Sequence, residues 1–192
     1  HHFVDTDFQV NQQAIPSFFD SHVHFWDPRT TPRAVSPLVR TLGFSSRITE
    51  WAAMRLFPRN AVDFFGTSSH IIRPHLPATL QNEVGECPVE GVVHVEAGWE
   101  GKDDFAPVNE TIWLEQLEKT QNTQIKAVVA HANLSKGEKV SDVLEAHLVA
   151  STKVRSIRDT LSWHPDASIY NGTSSERLSA SPDWRAGFAQ LR

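Results

Sequence analysis

A single cysteine, Cys87, stands among the 192 residues. It excludes an internal disulfide and any cysteine-built zinc finger, and it accords with a reducing compartment. No apolar run approaches the roughly 20 residues that span a bilayer, and no basic-then-apolar leader opens the chain. Lysine and arginine form no run and the net charge is −5, which argues against nucleic acid or an anionic membrane surface as the main partner. Together these absences predict a soluble, cytoplasmic protein whose partner is a small neutral or anionic molecule. A composition of 40% hydrophobic and 21% charged residues is that of a globular chain able to bury one sizeable core. Residues 1–15, opening on His1-His2, read as a tag or N-terminal extension.

What is present centres on Phe18-Phe19-Asp20-Ser21-His22-Val23-His24-Phe25-Trp26-Asp27-Pro28. In a strand alternate side chains share a face, so His22 and His24 project together with Asp20 below them, while Phe19 and Phe25 take the helix side. Two imidazoles held this way can grip one divalent ion and leave other coordination positions open. His-x-His alone is weak evidence. Its context gives it weight.

A segment rich in Pro, Arg and Ser follows, and residues 28–75 read as an insertion after the first strand. Within it, residues 47–57 carry Ile48, Trp51, Ala52 and Arg55 at helical spacing, a face for a cap or for the core. Residues 58–75 read as loop, with His70 and His75 solvated. A helix after Leu76 starts at Pro77 and stops at Gly85. Strand two covers residues 91–98. A helix over 107–119 buries Trp113, Leu114 and Leu117, with a Glu115–Lys119 pair outside. Strand three covers 125–134, a helix 141–150 carries Val143, Leu144, His147 and Leu148, and strand four covers 154–161. Ser181-Pro182 then caps a helix bearing Trp184, Phe188 and Leu191.

Strands alternating with helices predict a parallel α/β architecture. Four such units are half of a (β/α)8 TIM barrel, and the chain stops within an amphipathic pattern. The expectation is a half barrel, with self-association or a missing second half covering its open edges.

In a parallel barrel, polar residues near the C-terminal ends of strands face the mouth. The apolar parity of each strand predicts His94 and Glu96 inward from strand two, His131 and Asn133 from strand three and Arg158 from strand four, with Val93, Val95, Ile157 and Leu161 outward. Glu96 is open to three roles: metal ligand, a carboxylate orienting a histidine, or base. The planar fork of Arg158 suits a substrate carboxylate.

Phe19-Asp20-Ser21-His22-Val23-His24-Phe25-Trp26-Asp27-Pro28, Val93-His94-Val95-Glu96-Ala97-Gly98-Trp99 and Val154-Arg155-Ser156-Ile157-Arg158, in that order, resemble the amidohydrolase superfamily. The similarity is to its TIM-barrel metal-dependent hydrolases related to L-fuconolactonase and 2-pyrone-4,6-dicarboxylate lactonase, and covers only the first half of their domain. The resemblance implies that His22 and His24 hold one divalent metal, zinc or manganese, and that Trp26, Glu96, His131 and Arg158 line the substrate pocket. It places the catalytic aspartate on an eighth strand, beyond residue 192, so no catalytic residue is assigned. Relatives with two metals bridge them by a carboxylated lysine or glutamate on strand four; Arg158 and Asp159 stand there instead, against a second ion.

The expected activity is metal-dependent hydrolysis of a lactone, or an amide, of a small polar acid, with this piece alone inactive. Two alternatives are a metal-dependent decarboxylase of the same superfamily and a non-catalytic half barrel that dimerises.

Overall fold

The computed structural model describes residues 16–121 and 123–191; the expected extension over residues 1–15 lies outside them. Its centre is a four-stranded, all-parallel sheet in the order β1 (Phe18–Val23), β2 (Val89–Val95), β3 (Ile125–His131), β4 (Val154–Arg158). Helices α5 (Val108–Gln121) and α6 (Val140–Ala150) connect β2 to β3 and β3 to β4. The molecule is therefore mixed α/β, compatible with half of a βα barrel. Among the described residues, no helix is long and apolar enough to cross a membrane.

The core sits between the sheet and α5. Val92, Ile125, Val128 and Ala130 meet Leu114 and Leu117 of α5, Leu80 of α4 (Pro77–Val84), and Phe25 just past β1. Phe25 is fully enclosed, as its parity predicts, but Phe19 is 47% exposed. The reason is a bulge. Asp20 pairs with Val92 and Val23 with His94, so β1 carries one residue more than β2 over that stretch, and an extra residue reverses the alternation.

A second apolar cluster joins Val108, Ala132, Leu134, Val140 and Val143, with Trp184 of α7 (Pro182–Phe188) packed against it. The Ser181 hydroxyl accepts from the Trp184 N–H and Pro182 opens the helix, as expected from that dipeptide. Helix α7 approaches the 3-10 helix Leu134–Lys139 backbone to backbone: a Cβ placed on Gly187 would stand 2.1 Å from the Leu134 carbonyl oxygen. Gly187→Ala therefore pushes α7 off this seat. A destabilisation of about 2 kcal/mol is expected, read in calorimetry as a Tm lower by roughly 4–8 °C. An unchanged Tm would show that α7 does not pack here.

The segment 28–75 contains α1 (Ser36–Leu42), α2 (Ser46–Leu56) and α3 (Arg59–Phe65). Three expectations for it are corrected. Helix α2 buries Thr49, Ala52 and Ala53, while Ile48 and Trp51 point outward, Trp51 61% exposed with the Arg55 guanidinium 5.3 Å from its ring centroid. Small residues let α2 lie close to α1, so they and not the large ones form the inner face. Residues 58–75 are not all loop, since α3 forms there with an Arg59–Asp63 pair at 3.0 Å one turn apart, a spacing that supports exposed helices. His75 is not solvated either. It pairs backbone to backbone with Trp26 at 2.9 Å in both directions, and its Nδ1 lies 2.7 Å from the His24 carbonyl.

Further along, α4 has its proline start and its stop at Gly85, whose φ of +66° suits glycine. Glu115 pairs across to Lys153 at 3.3 Å and takes the Ser151 hydroxyl, in place of the expected pair with Lys119. Strand β4 ends at Arg158, short of the expected Leu161, which is exposed, and Leu148 of α6 is exposed as well.

Candidate active site

The C-terminal ends of the four strands bring the candidate residues together, beginning with the histidine pair. His22 and His24 face one another with Nε2 atoms 3.2 Å apart. Asp20 lies below, its Oδ1 accepting the His22 backbone N–H at 2.9 Å. The His24 ring is fixed from behind, because its Nδ1 lies 2.8 Å from the Val95 carbonyl and 3.1 Å from that of Glu96. A carbonyl can only accept, so the proton sits on Nδ1 and the Nε2 lone pair faces His22. Burial, aided by the nearby positive Arg158 and opposed by the Val95 carbonyl, holds the His24 imidazolium below its ordinary range. A neutral ring with a bare Nε2 is the form that ligates metals.

The spacing of the pair fits one ion. Two nitrogens each about 2.0–2.1 Å from a common centre stand roughly 2.8–3.4 Å apart at octahedral to tetrahedral angles, and 3.2 Å lies within that range. Among the described residues, no group of three or more His, Cys, Asp or Glu side chains forms a metal cage. The pair is two facing imidazole nitrogens outside any such group.

Glu96 and Arg158 form the next piece. Arg158 Nε donates to Glu96 Oε1 at 2.6 Å, its Nη2 reaches the same oxygen, and Nη2 also donates to the Glu96 carbonyl at 3.0 Å. The Gly98 N–H takes Oε2 at 2.8 Å. Burial pushes the Glu96 carboxyl up, but Arg158 and the Gly98 N–H outweigh it and hold the group below its usual range. Oε1 is filled by Arg158 and Oε2 keeps one lone pair beside the Gly98 N–H, so in this geometry Glu96 anchors Arg158. The Nη1 edge of Arg158 has no partner among the described residues.

His131 closes the row, with Nδ1 2.9 Å from the Arg158 carbonyl. By the argument used for His24, its Nε2 is an acceptor. Trp26 meets the segment 28–75: its Nε1–H is committed to the Arg73 carbonyl at 2.8 Å, and its ring lies 5.4 Å from His75 and 5.1 Å from the Arg33 guanidinium.

Two expected mouth residues lie elsewhere. His94 faces α5. It is fully buried, accepting the Phe25 N–H on Nδ1 at 3.2 Å and meeting Glu110 Oε1 at 3.3 Å. Strand β2 has valine on both faces at residues 92, 93 and 95, so apolar parity could not tell which face was inner. Asn133 is exposed, and its side chain caps the 3-10 helix by accepting from the Ser135 N–H at 3.0 Å. Asp159, also on offer at strand four, is used structurally, its Oδ2 taking the Trp184 indole at 3.0 Å and the Leu134 N–H at 3.2 Å.

Sequence reasoning missed Glu110, Arg33 and His75. Glu110 carried a signal, since it falls four residues before Leu114 and seven before Leu117, on the buried stripe of α5. Arg33, over the Trp26 ring, and His75, against the His24 carbonyl, are placed there only by the folding of 28–75 and carried none. No family model matches the chain, and no curated protein and no solved structure matches it.

Proposed function

We propose that this chain is the first half of an amidohydrolase-type TIM barrel whose full form is a metal-dependent hydrolase, opening a lactone (or an amide) of a small polar acid. One observation carries the reading: two Nε2 atoms 3.2 Å apart, one of them on a ring whose Nδ1 proton is given to a backbone carbonyl. His22 and His24 hold one divalent ion, zinc or manganese. Bound there, the ion would polarise the carbonyl or lower the pKa of a water, for zinc to about 7.

The remaining residues bind and orient. Arg158, held by Glu96 through Nε and Nη2, keeps Nη1 for the carboxylate of the acid. His131 Nε2 accepts a hydrogen bond from a substrate hydroxyl. The Trp26 ring forms an apolar wall, since its only donor is already used. No base is assigned among these groups.

The test is turnover of a panel of sugar and dicarboxylate lactones by the full-length protein, stripped of metal and reconstituted with Zn2+ or Mn2+. Hydrolysis that requires the ion and disappears in a His22→Ala/His24→Ala double variant is expected. Turnover that persists in the stripped double variant would overturn the reading, as would a reconstituted protein that takes up no metal.

A further inference from the structure

The structure assigns Glu110 a positioning role: one buried carboxylate oxygen fixes the backbone on both sides of the His24 ring and so sets the tautomer and aim of its Nε2. This rests on the reading of His22 and His24 as the metal grip. Glu110 lies in the first turn of α5, 5% exposed. Its Oε1 accepts the Ala97 N–H at 2.8 Å and faces His94 Nε2 at 3.3 Å.

The direction of the His94 contact follows from its other end. The Phe25 N–H can only donate, so His94 Nδ1 must accept and the ring proton sits on Nε2, aimed at Glu110. A single oxygen therefore holds two points. Through His94 it fixes the amide of the residue after His24. Through Ala97 it fixes the amide of the residue after Glu96. The His24 Nδ1–H lies between these points, against the carbonyls of Val95 and Glu96. Both the root of the ring and its acceptors hang on the same carboxylate.

A buried carboxylate beneath two histidine strands could serve stability alone, and the two roles separate in the His24 tautomer. Long-range nitrogen–proton NMR of the metal-free chain reads which ring nitrogen carries the proton, alongside Zn2+ affinity from competition with a chromophoric chelator. Wild type should show His24 protonated on Nδ1 alone. Glu110→Leu, and Glu110→Asp should the leucine variant not fold, are expected to give a mixture of tautomers and to lower Zn2+ affinity by about 10- to 100-fold. Glu110→Gln, which keeps the accepting oxygen, restores both. Val143→Ala, a cavity in the second apolar cluster, lowers Tm and leaves both unchanged.

A single Nδ1 tautomer in the leucine or aspartate variant would overturn the assignment, as would a Val143→Ala protein with the same mixture. The tautomer is read without metal. A wild-type chain that binds no Zn2+ would thus sink the metal reading while the NMR result still decides the role of Glu110.

Discussion

On the proposed reading, His22→Ala is expected to weaken Zn2+ binding more than a hundredfold without lowering Tm, whereas His24→Ala should weaken it as much and cost stability as well. Structural zinc sites with four ligands have apparent binding free energies of about 10–16 kcal/mol, or about 3 kcal/mol per ligand, so loss of either ring should reduce affinity more than a hundredfold. The difference in stability comes from what lies behind each ring. His22 is exposed, and among the described residues its side chain has no hydrogen-bonding contact except with His24. His24 is half-buried, and removing it takes its Nδ1–H from the Val95 carbonyl, while the Glu96 carbonyl keeps its bond from Arg158 Nη2, a loss of about 1 kcal/mol. The pH dependence has a definite sign. Protonation of His24 Nε2 competes with the ion, so affinity falls on acidification, and burial holds that protonation below the ordinary histidine range. Calorimetric Zn2+ titrations from pH 8 to pH 5 measure all of this. A His22→Ala protein that binds Zn2+ like wild type would remove the pair from any metal site.

The βα alternation was legible because β2 and β3 are rich in valine, isoleucine and alanine, and each helix after β2 repeats its apolar residues every three or four positions. Phase was harder to read than period. In β3, Val128 and Ala130 share one parity and His131 lies on the other beside Val129, so the polar end residue rather than the apolar pattern marks the inner face. In β2, valine lies on both faces, and His94 went to the wrong one. In α2 the larger residues suggested the buried stripe, yet close packing on α1 selected Thr49, Ala52 and Ala53. Helix α3 buries none of its residues, so it has no apolar period to find.

The site was legible as a list of side chains and opaque as a set of bonds. His22 and His24 are set by strand alternation, and the structure keeps them on one face. What fixes the His24 ring is a carbonyl 71 residues away, and every residue has a carbonyl, so nothing in the sequence marks Val95 for that task. The same holds for His131, whose acceptor is the backbone of Arg158. Glu96 and Arg158 were each read as facing the mouth; that they satisfy one another, leaving only the Nη1 edge of Arg158 open, depends on how far β2 and β4 stand apart across β3.

The largest stability effect should come from His147, a residue that takes no part in the proposed chemistry. It is fully enclosed on α6, with Nδ1 accepting the Thr111 hydroxyl at 2.8 Å and Nε2 donating to the His131 carbonyl at 3.0 Å. It ties α5, α6 and the end of β3 together behind the mouth. His147→Ala leaves a cavity and two unpaired polar groups, a cost of about 3 kcal/mol or more, seen as a Tm lower by roughly 6–12 °C. Burial also holds the His147 imidazolium below its ordinary range, against the pull of the His131 carbonyl. Its folded pKa is thus lower than its unfolded value of about 6.5, and the unfolded chain takes up a proton that the folded chain refuses. The stability this contributes is fully present above pH 6.5 and is lost as pH falls toward the folded value. His147→Gln, which can bond to the same partners but does not titrate, should flatten the fall in stability below pH 6.5 by up to about 1.4 kcal/mol per pH unit. Urea unfolding of the two proteins at pH 8, 7, 6 and 5 makes the comparison. His24, buried and depressed in the same way, supplies the slope that remains, and identical slopes in wild type and His147→Gln would mean that His147 does not resist protonation in the folded chain.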